Sequence, residues 1–211
     1  MELQYDKNTK YKEYSTKQYG IAQTFSSKKE IFLPYIRDYR KLTNEQLLHL
    51  IRTAKTNNWI ALDLSDCGLE SLPDELWELT SLKLLYIGNL RCQENKNKID
   101  KISENIEKLI NLEALSIANL PILHVPRAIK KLPCLTYLDC FGCYFDSISD
   151  NLLNPKIRAI GIECQNIEHF RQLCKISKLE EIYITGSKVT SIPEEIGKLR
   201  FLKKLMISGS R

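Results

Sequence analysis

The stretch Trp59-Ile60-Ala61-Leu62-Asp63-Leu64-Ser65-Asp66-Cys67-Gly68-Leu69-Glu70-Ser71-Leu72-Pro73-Asp74-Glu75-Leu76-Trp77-Glu78-Leu79 decides the fold. Counted from Trp59, apolar residues stand at positions 1, 4, 6, 11 and 14, and Pro73 opens a tail of the form P-x-x-L-x-x-L. Alternation at positions 4 and 6 puts both side chains on one face of a short strand. The three-residue spacing of Leu76 and Leu79 suits a short helix or helical turn.

The frame recurs from Leu82, Leu112, Leu135, Ile157, Leu179 and Leu202. Positions 1, 4 and 6 are apolar in every copy, from Leu82/Leu85/Ile87 through Leu135/Leu138/Cys140 to Leu202/Leu205/Ile207. One such strand cannot bury its apolar face alone, whereas stacked copies lie parallel and enclose a continuous core. Position 11 (Leu69, Ile99, Ile122, Phe145, Ile167, Val189) and position 14 (Leu72, Ile102, Val125, Ile148, Phe170, Ile192) are expected to extend it. Each buried Leu or Ile contributes roughly 1.5–3 kcal/mol.

The pattern L-x-x-L-x-L-x-x-N/C-x-L is the leucine-rich repeat signature. The expected fold is an α/β leucine-rich repeat solenoid: a curved parallel sheet on the concave face, short helices or turns on the convex face, and an N-terminal capping helix. Pro73, Pro126 and Pro193 follow position 14 and suit a first helical turn. Asp74-Glu75 and Glu194-Glu195 come next, where carboxylates favour the positive helix end, and Lys108, Lys131 and Lys198 fall near the other end. Recurrence at one repeat position makes these acids partners of the helix dipole rather than a catalytic pair.

Three segments are expected: an N-terminal arm over 1–42, a capping helix over 43–58, and the solenoid over 59–211, with six full repeats and a partial seventh. The arm holds six of the ten tyrosines, with nine Lys/Arg against five Asp/Glu, so most of the net charge of +5 lies there. Few aliphatic residues over 1–29 predict poor order, and the apolar run Glu30 to Ile36 is expected to dock on the solenoid end. Its lysines are interrupted by acids and no nucleic-acid-binding motif is present, so nucleic acid is not the expected partner. Thr43-Asn44-Glu45-Gln46 is a capping box, followed by Leu47, Leu50, Ile51 and Ala54 on one helical face and by His49 on the polar side.

Repeat two runs 30 residues against 23 in repeats one, three and six, which places a polar insertion over Gly88 to Lys98. Such a loop is expected to be mobile, and is a contact element or a tolerated insertion in equal measure. Repeats four and five have 22 residues each, Pro155 near position 21 and Gln165 at position 9, and are expected to be looser and less regular. Repeat seven stops at Arg211, leaving strand Lys204 to Ile207 without an outer neighbour. Self-association or fraying there, a fragment of a longer protein, and a decayed gene all fit that ending.

Hydrophobic content of 43% and charged content of 27% are ordinary for a globular protein. No apolar run nears the ~20 residues that cross a bilayer, and the polar start Met1 to Asp6 is no signal peptide, so no membrane partner and a cytoplasmic location are expected. Seven cysteines at irregular spacing argue against a disulfide framework. Cys67 and Cys143 fall at position 9 and Cys140 at position 6, so Cys140-x-x-Cys143 is read as two buried sulfurs rather than a zinc or redox pair; Cys134 does not complete a site. No cofactor is expected.

Positions 3, 5 and 7 face the concave side. There the chemistry varies: Tyr86, Tyr137, Phe141 and Tyr183 with Asp63, Ser116, Asp139 and Glu163, spaced by small residues such as Gly88, Ala114 and Gly161. Exposed aromatics with a few acids have the composition of a protein-binding hot spot. Catalysis finds no support: phosphate-loop, H-E-x-x-H and G-x-S-x-G motifs are absent, and His49, His124 and His169 lie on different repeats.

The repeats resemble the intracellular L-P-x-x-[IL]-x-x-L type found in Ras-group leucine-rich repeat proteins and bacterial Roco proteins. Leu48 to Ala54, Asn58 to Ser65 and Leu69-Glu70-Ser71-Leu72-Pro73 look much like the start of a bacterial Roco repeat domain. The resemblance covers about residues 43–211 and implies the fold and a role in signalling. A GTPase domain would follow in a Roco protein; none does here, so GTP chemistry is not carried over. The secreted bacterial repeat-ligase effectors match less well, their repeats being shorter. The expected function is a non-catalytic protein–protein interaction module binding a protein partner on the concave face. The alternatives are a regulatory segment of a Roco-type protein lacking its GTPase, and a secreted effector binding a host protein.

Overall fold

A computed structural model of the chain describes residues 41–89, 96–145, 147–185 and 188–209, and the backbone of 5–6 and 35–36. Strand β1 (Tyr5–Asp6) pairs antiparallel with β2 (Tyr35–Ile36). The order expected of the rest of the arm, the docking of 30–36 and the middle of the inserted loop lie outside the described residues.

Helix α1 (Asn44–Thr56) begins at the expected capping box: the Thr43 hydroxyl accepts from the Gln46 N–H at 3.2 Å, and the Gln46 side chain accepts from the Thr43 N–H at 2.9 Å. Leu47, Leu50, Ile51 and Ala54 are buried in the main core and His49 is exposed. Asn57 ends the helix, and Asn58 takes a positive φ of 49°, which asparagine tolerates.

Seven strands then follow: β3 (Ala61–Asp63), β4 (Leu84–Tyr86), β5 (Ala114–Ser116), β6 (Tyr137–Cys140), β7 (Ala159–Ile162), β8 (Glu181–Thr185) and β9 (Lys204–Ser208). They form one parallel sheet in chain order. Ala61, Leu84, Ala114, Tyr137, Ala159, Glu181 and Lys204 stand in register, and each is position 3 of its repeat. Positions 4 and 6 of β3 to β8 are fully buried, and Leu205 and Ile207 of β9 pack half-buried on the same core. Ile192 departs from expectation at 55% exposed. It lies in repeat six, over which only the ten-residue seventh repeat stacks, so no neighbouring unit among the described residues closes over it.

The convex side carries 3-10 turns over Asp74–Glu78, Glu104–Lys108 and Glu194–Lys198, and helices α2 (Ala128–Lys131) and α3 (Ile167–Leu173). The prolines sit one step earlier than expected. Pro73 and Pro193 are extended cap residues outside the turn, and the carbonyls of Pro73, Pro126 and Pro193 accept its first hydrogen bond from Leu76, Ile129 and Ile196. Lys108, Lys131 and Lys198 end their elements, and the Glu104 carboxylate caps the neighbouring repeat, accepting from Arg127 N–H at 3.0 Å and Ala128 N–H at 2.8 Å.

Repeat four has turns in place of a helix. Its buried Asn154 ties it to repeat three, donating to the carbonyls of Ile129 at 2.8 Å and Leu132 at 3.0 Å. Repeat five reverses the expected irregularity: α3 is a regular helix of seven residues, started by the Asn166 side chain accepting from the His169 N–H at 2.9 Å. Packing in both repeats is tight, with Ile148, Leu152, Phe170 and Leu173 all buried. No helix among the described residues is long and apolar enough to cross a membrane.

Candidate concave-face binding site

Because positions 4 and 6 point into the core, positions 3, 5 and 7 line the opposite face of the sheet. Tyr137 stands at position 3; Asp63, Tyr86, Ser116, Asp139 and Tyr183 at position 5; Phe141 and Glu163 at position 7. Six of these eight meet. Tyr137, Phe141 and Tyr183 form a second apolar cluster with Ala61, Leu84, Ala114, Ala118 and Ala159, and Tyr86 packs half-buried against it. Ser116 and Asp139 join it through the Ser116 hydroxyl, which donates to Asp139 Oδ2 at 3.0 Å. Asp63, on β3, stands beside Tyr86 in the sheet register and three strands from Asp139, and Glu163 follows β7, where it accepts from Gln165 Nε2 at 2.9 Å.

The aromatics were expected to be exposed and are not: Tyr137, Phe141 and Tyr183 retain 2–5% of their accessible surface. Alternation along a strand tells which face a side chain takes, not what lies over that face. Asp139 is buried with them. Its Oδ1 accepts from the Phe141 N–H at 3.2 Å, a local tie repeated at Asp63, whose Oδ1 accepts from the Ser65 N–H at 2.9 Å. Burial pushes the Asp139 carboxyl up to about 6, with the Phe141 and Ser116 hydrogen bonds opposing it. Burial, then the charges of Asp139 and the neighbouring tyrosines, holds the Tyr137 hydroxyl well above its ordinary range.

Gly161 is the strand neighbour between Asp139 and Tyr183, so no side chain separates the carboxylate from that ring within the sheet. The Tyr183 hydroxyl donates to Glu181, and the Lys204 amino group lies 4.9 Å from the centre of the Tyr183 ring. Glu181 went unselected in the sequence, although an acid two residues before Tyr183 must share its face.

Asn97 was missed as well. It fills the position-9 slot of repeat two after the insertion and is buried, so this end of the 88–98 segment belongs to the core rather than to a surface loop. Gly88, at the other end, is required by close approach: a Cβ there would lie 2.5 Å from the Ala118 backbone nitrogen. Cys140 and Cys143 are buried as expected, the Cys143 thiol donating to the Ile117 carbonyl at 3.1 Å.

No protein-family model matches the chain. Among solved structures it is similar to a leucine-rich repeat protein of Leptospira interrogans (TM-score 0.59, 23% identity, 82% of this chain and 47% of that one). The leucine-rich repeat domain of the type III effector XopL gives a TM-score of 0.61 at 16% identity, over 76% of this chain and 56% of that one. The fold is a leucine-rich repeat solenoid. In sequence, the disease resistance protein UNI of Arabidopsis thaliana is 25% identical over 210 residues, covering 90% of this chain. The chain spans only 23% of that relative's length.

Proposed function

We propose that this solenoid is a non-catalytic protein-recognition module that binds a protein partner across its concave face. One observation carries the reading. The cluster of Tyr86, Tyr137, Phe141 and Tyr183 around Asp139 lies on the side of the sheet away from the main core, which is complete without it. Aromatic rings and a carboxylate held on that side have no part in closing the solenoid, and they match the composition of binding hot spots. The fold supports this, since stacked repeats present an extended surface with variable chemistry on an invariant frame. The free thiols among the described residues support work in a reducing, cytoplasmic setting.

A second reading is a recognition segment of a larger signalling protein, of the Roco type or another; the much greater length of the UNI relative favours it. A secreted effector that binds a host protein is a third. The test is capture of partners from native lysate with wild type and with a Tyr86→Ala/Tyr137→Ala/Tyr183→Ala variant whose fold is checked by circular dichroism. A partner held by wild type and lost by the folded variant supports the concave site. A partner held equally by both rules it out.

A further inference from the structure

The concave face is covered, and the cover has an edge. From β3 to β8 the outward residues Ala61, Leu84, Ala114, Ser116, Tyr137 and Tyr183 are all buried. On β9 the burial ends, and Met206 at the same repeat position as Tyr183 is 45% exposed. A single layer of strands does not bury its own outer face. Packing among the described elements runs from strand to neighbouring strand and from convex turn to convex turn, so it supplies no layer on that side.

The face is also acidic. Among the described residues at positions 3, 5 and 7, four are acids (Asp63, Asp139, Glu163 and Glu181) and one is a base, Lys204. Asp139 is buried with two hydrogen-bond donors and no cation among the described residues. Where a base is present, Lys204 lies over the Tyr183 ring, which shows that the aromatic cluster accepts a cation.

We infer that this face docks the chain's own N-terminal segment, residues 1–40, whose basic and tyrosine side chains meet the acids and rings from Asp63 to Tyr183. The segment has the complementary charge, eight Lys/Arg against five Asp/Glu, and six tyrosines to stack on the cluster. It starts from the right place: the Leu42 N–H donates to the Cys67 carbonyl at 2.9 Å, so the chain leaves the solenoid beside the loop that follows β3. It has the reach, since 40 extended residues span ~130 Å and the five inter-strand steps from β3 to β8 need only ~24 Å. A protein partner of the concave face would then have to displace the segment. The inference does not depend on such a partner, and its test uses purified protein alone.

The experiment places the photo-crosslinker p-benzoylphenylalanine at Tyr137, and separately at half-buried Tyr86, in the full chain. The expected product is a monomer in which the probe is joined to a peptide from residues 1–40, with the same probe at Met206 giving no such product. Adding Asp139→Asn should cut the yield at least about fivefold, as loss of a charge-assisted contact would. Crosslinked dimers, crosslinks confined to residues 41–211, or no crosslink from either folded variant would overturn it.

Discussion

The Asn97 side-chain amide donates to the Leu64 carbonyl at 2.8 Å, binding the second repeat to the first. The same amide donates to the Ile87 carbonyl at 2.7 Å, and Asn97 Oδ1 accepts from the N–H groups of Cys67 at 3.1 Å and Leu69 at 2.9 Å. Four buried backbone groups thus find their partner in one residue. Asn97→Ala orphans all four, and at roughly 1–3 kcal/mol for each unsatisfied group, less relaxation, the expected loss is about 3–5 kcal/mol. Urea unfolding measures it. A loss below about 1 kcal/mol would mean that water replaces the side chain.

Two glycines should behave oppositely. Gly88→Ala drives a Cβ to 2.5 Å from the Ala118 nitrogen and 2.6 Å from its carbonyl oxygen, where backbone cannot yield cheaply. A cost of about 2–3 kcal/mol is expected, as for overpacking elsewhere. Gly197 lies in the 3-10 turn over Glu194–Lys198 with nothing within 4 Å of a new Cβ, and its φ is not positive. Gly197→Ala should stabilise by about 0.4–1 kcal/mol through the unfolded chain. Paired thermal melts check both, and equal shifts of one sign would contradict the packing at Gly88.

The strands were legible because each repeat restates one frame, so an error in any copy is corrected by the others. The concave column followed from the same alternation. Asn97 was hidden by the insertion, which moved position 9 seven places along; counting back two residues from Ile99 would have recovered it. Helix α3 was hidden by the lack of a proline after Phe170, although Asn166 before an apolar run is itself a start signal. Burial of the aromatic cluster was not legible at all, because it depends on what lies across the sheet.

Thiol reactivity follows from burial. Desolvation first, with nearby carboxylates or thiols adding to it, pushes the thiols of Cys67, Cys143 and Cys164 up to about 12 from 9.0. Three units cut the thiolate fraction about a thousandfold. Cys134 is exposed. Mass-mapped alkylation at pH 7.5 should label Cys134 at least about a hundredfold faster than those three, and denaturant should abolish the difference. Comparable labelling of Cys143 in the native protein would mean that the core beneath β6 opens readily.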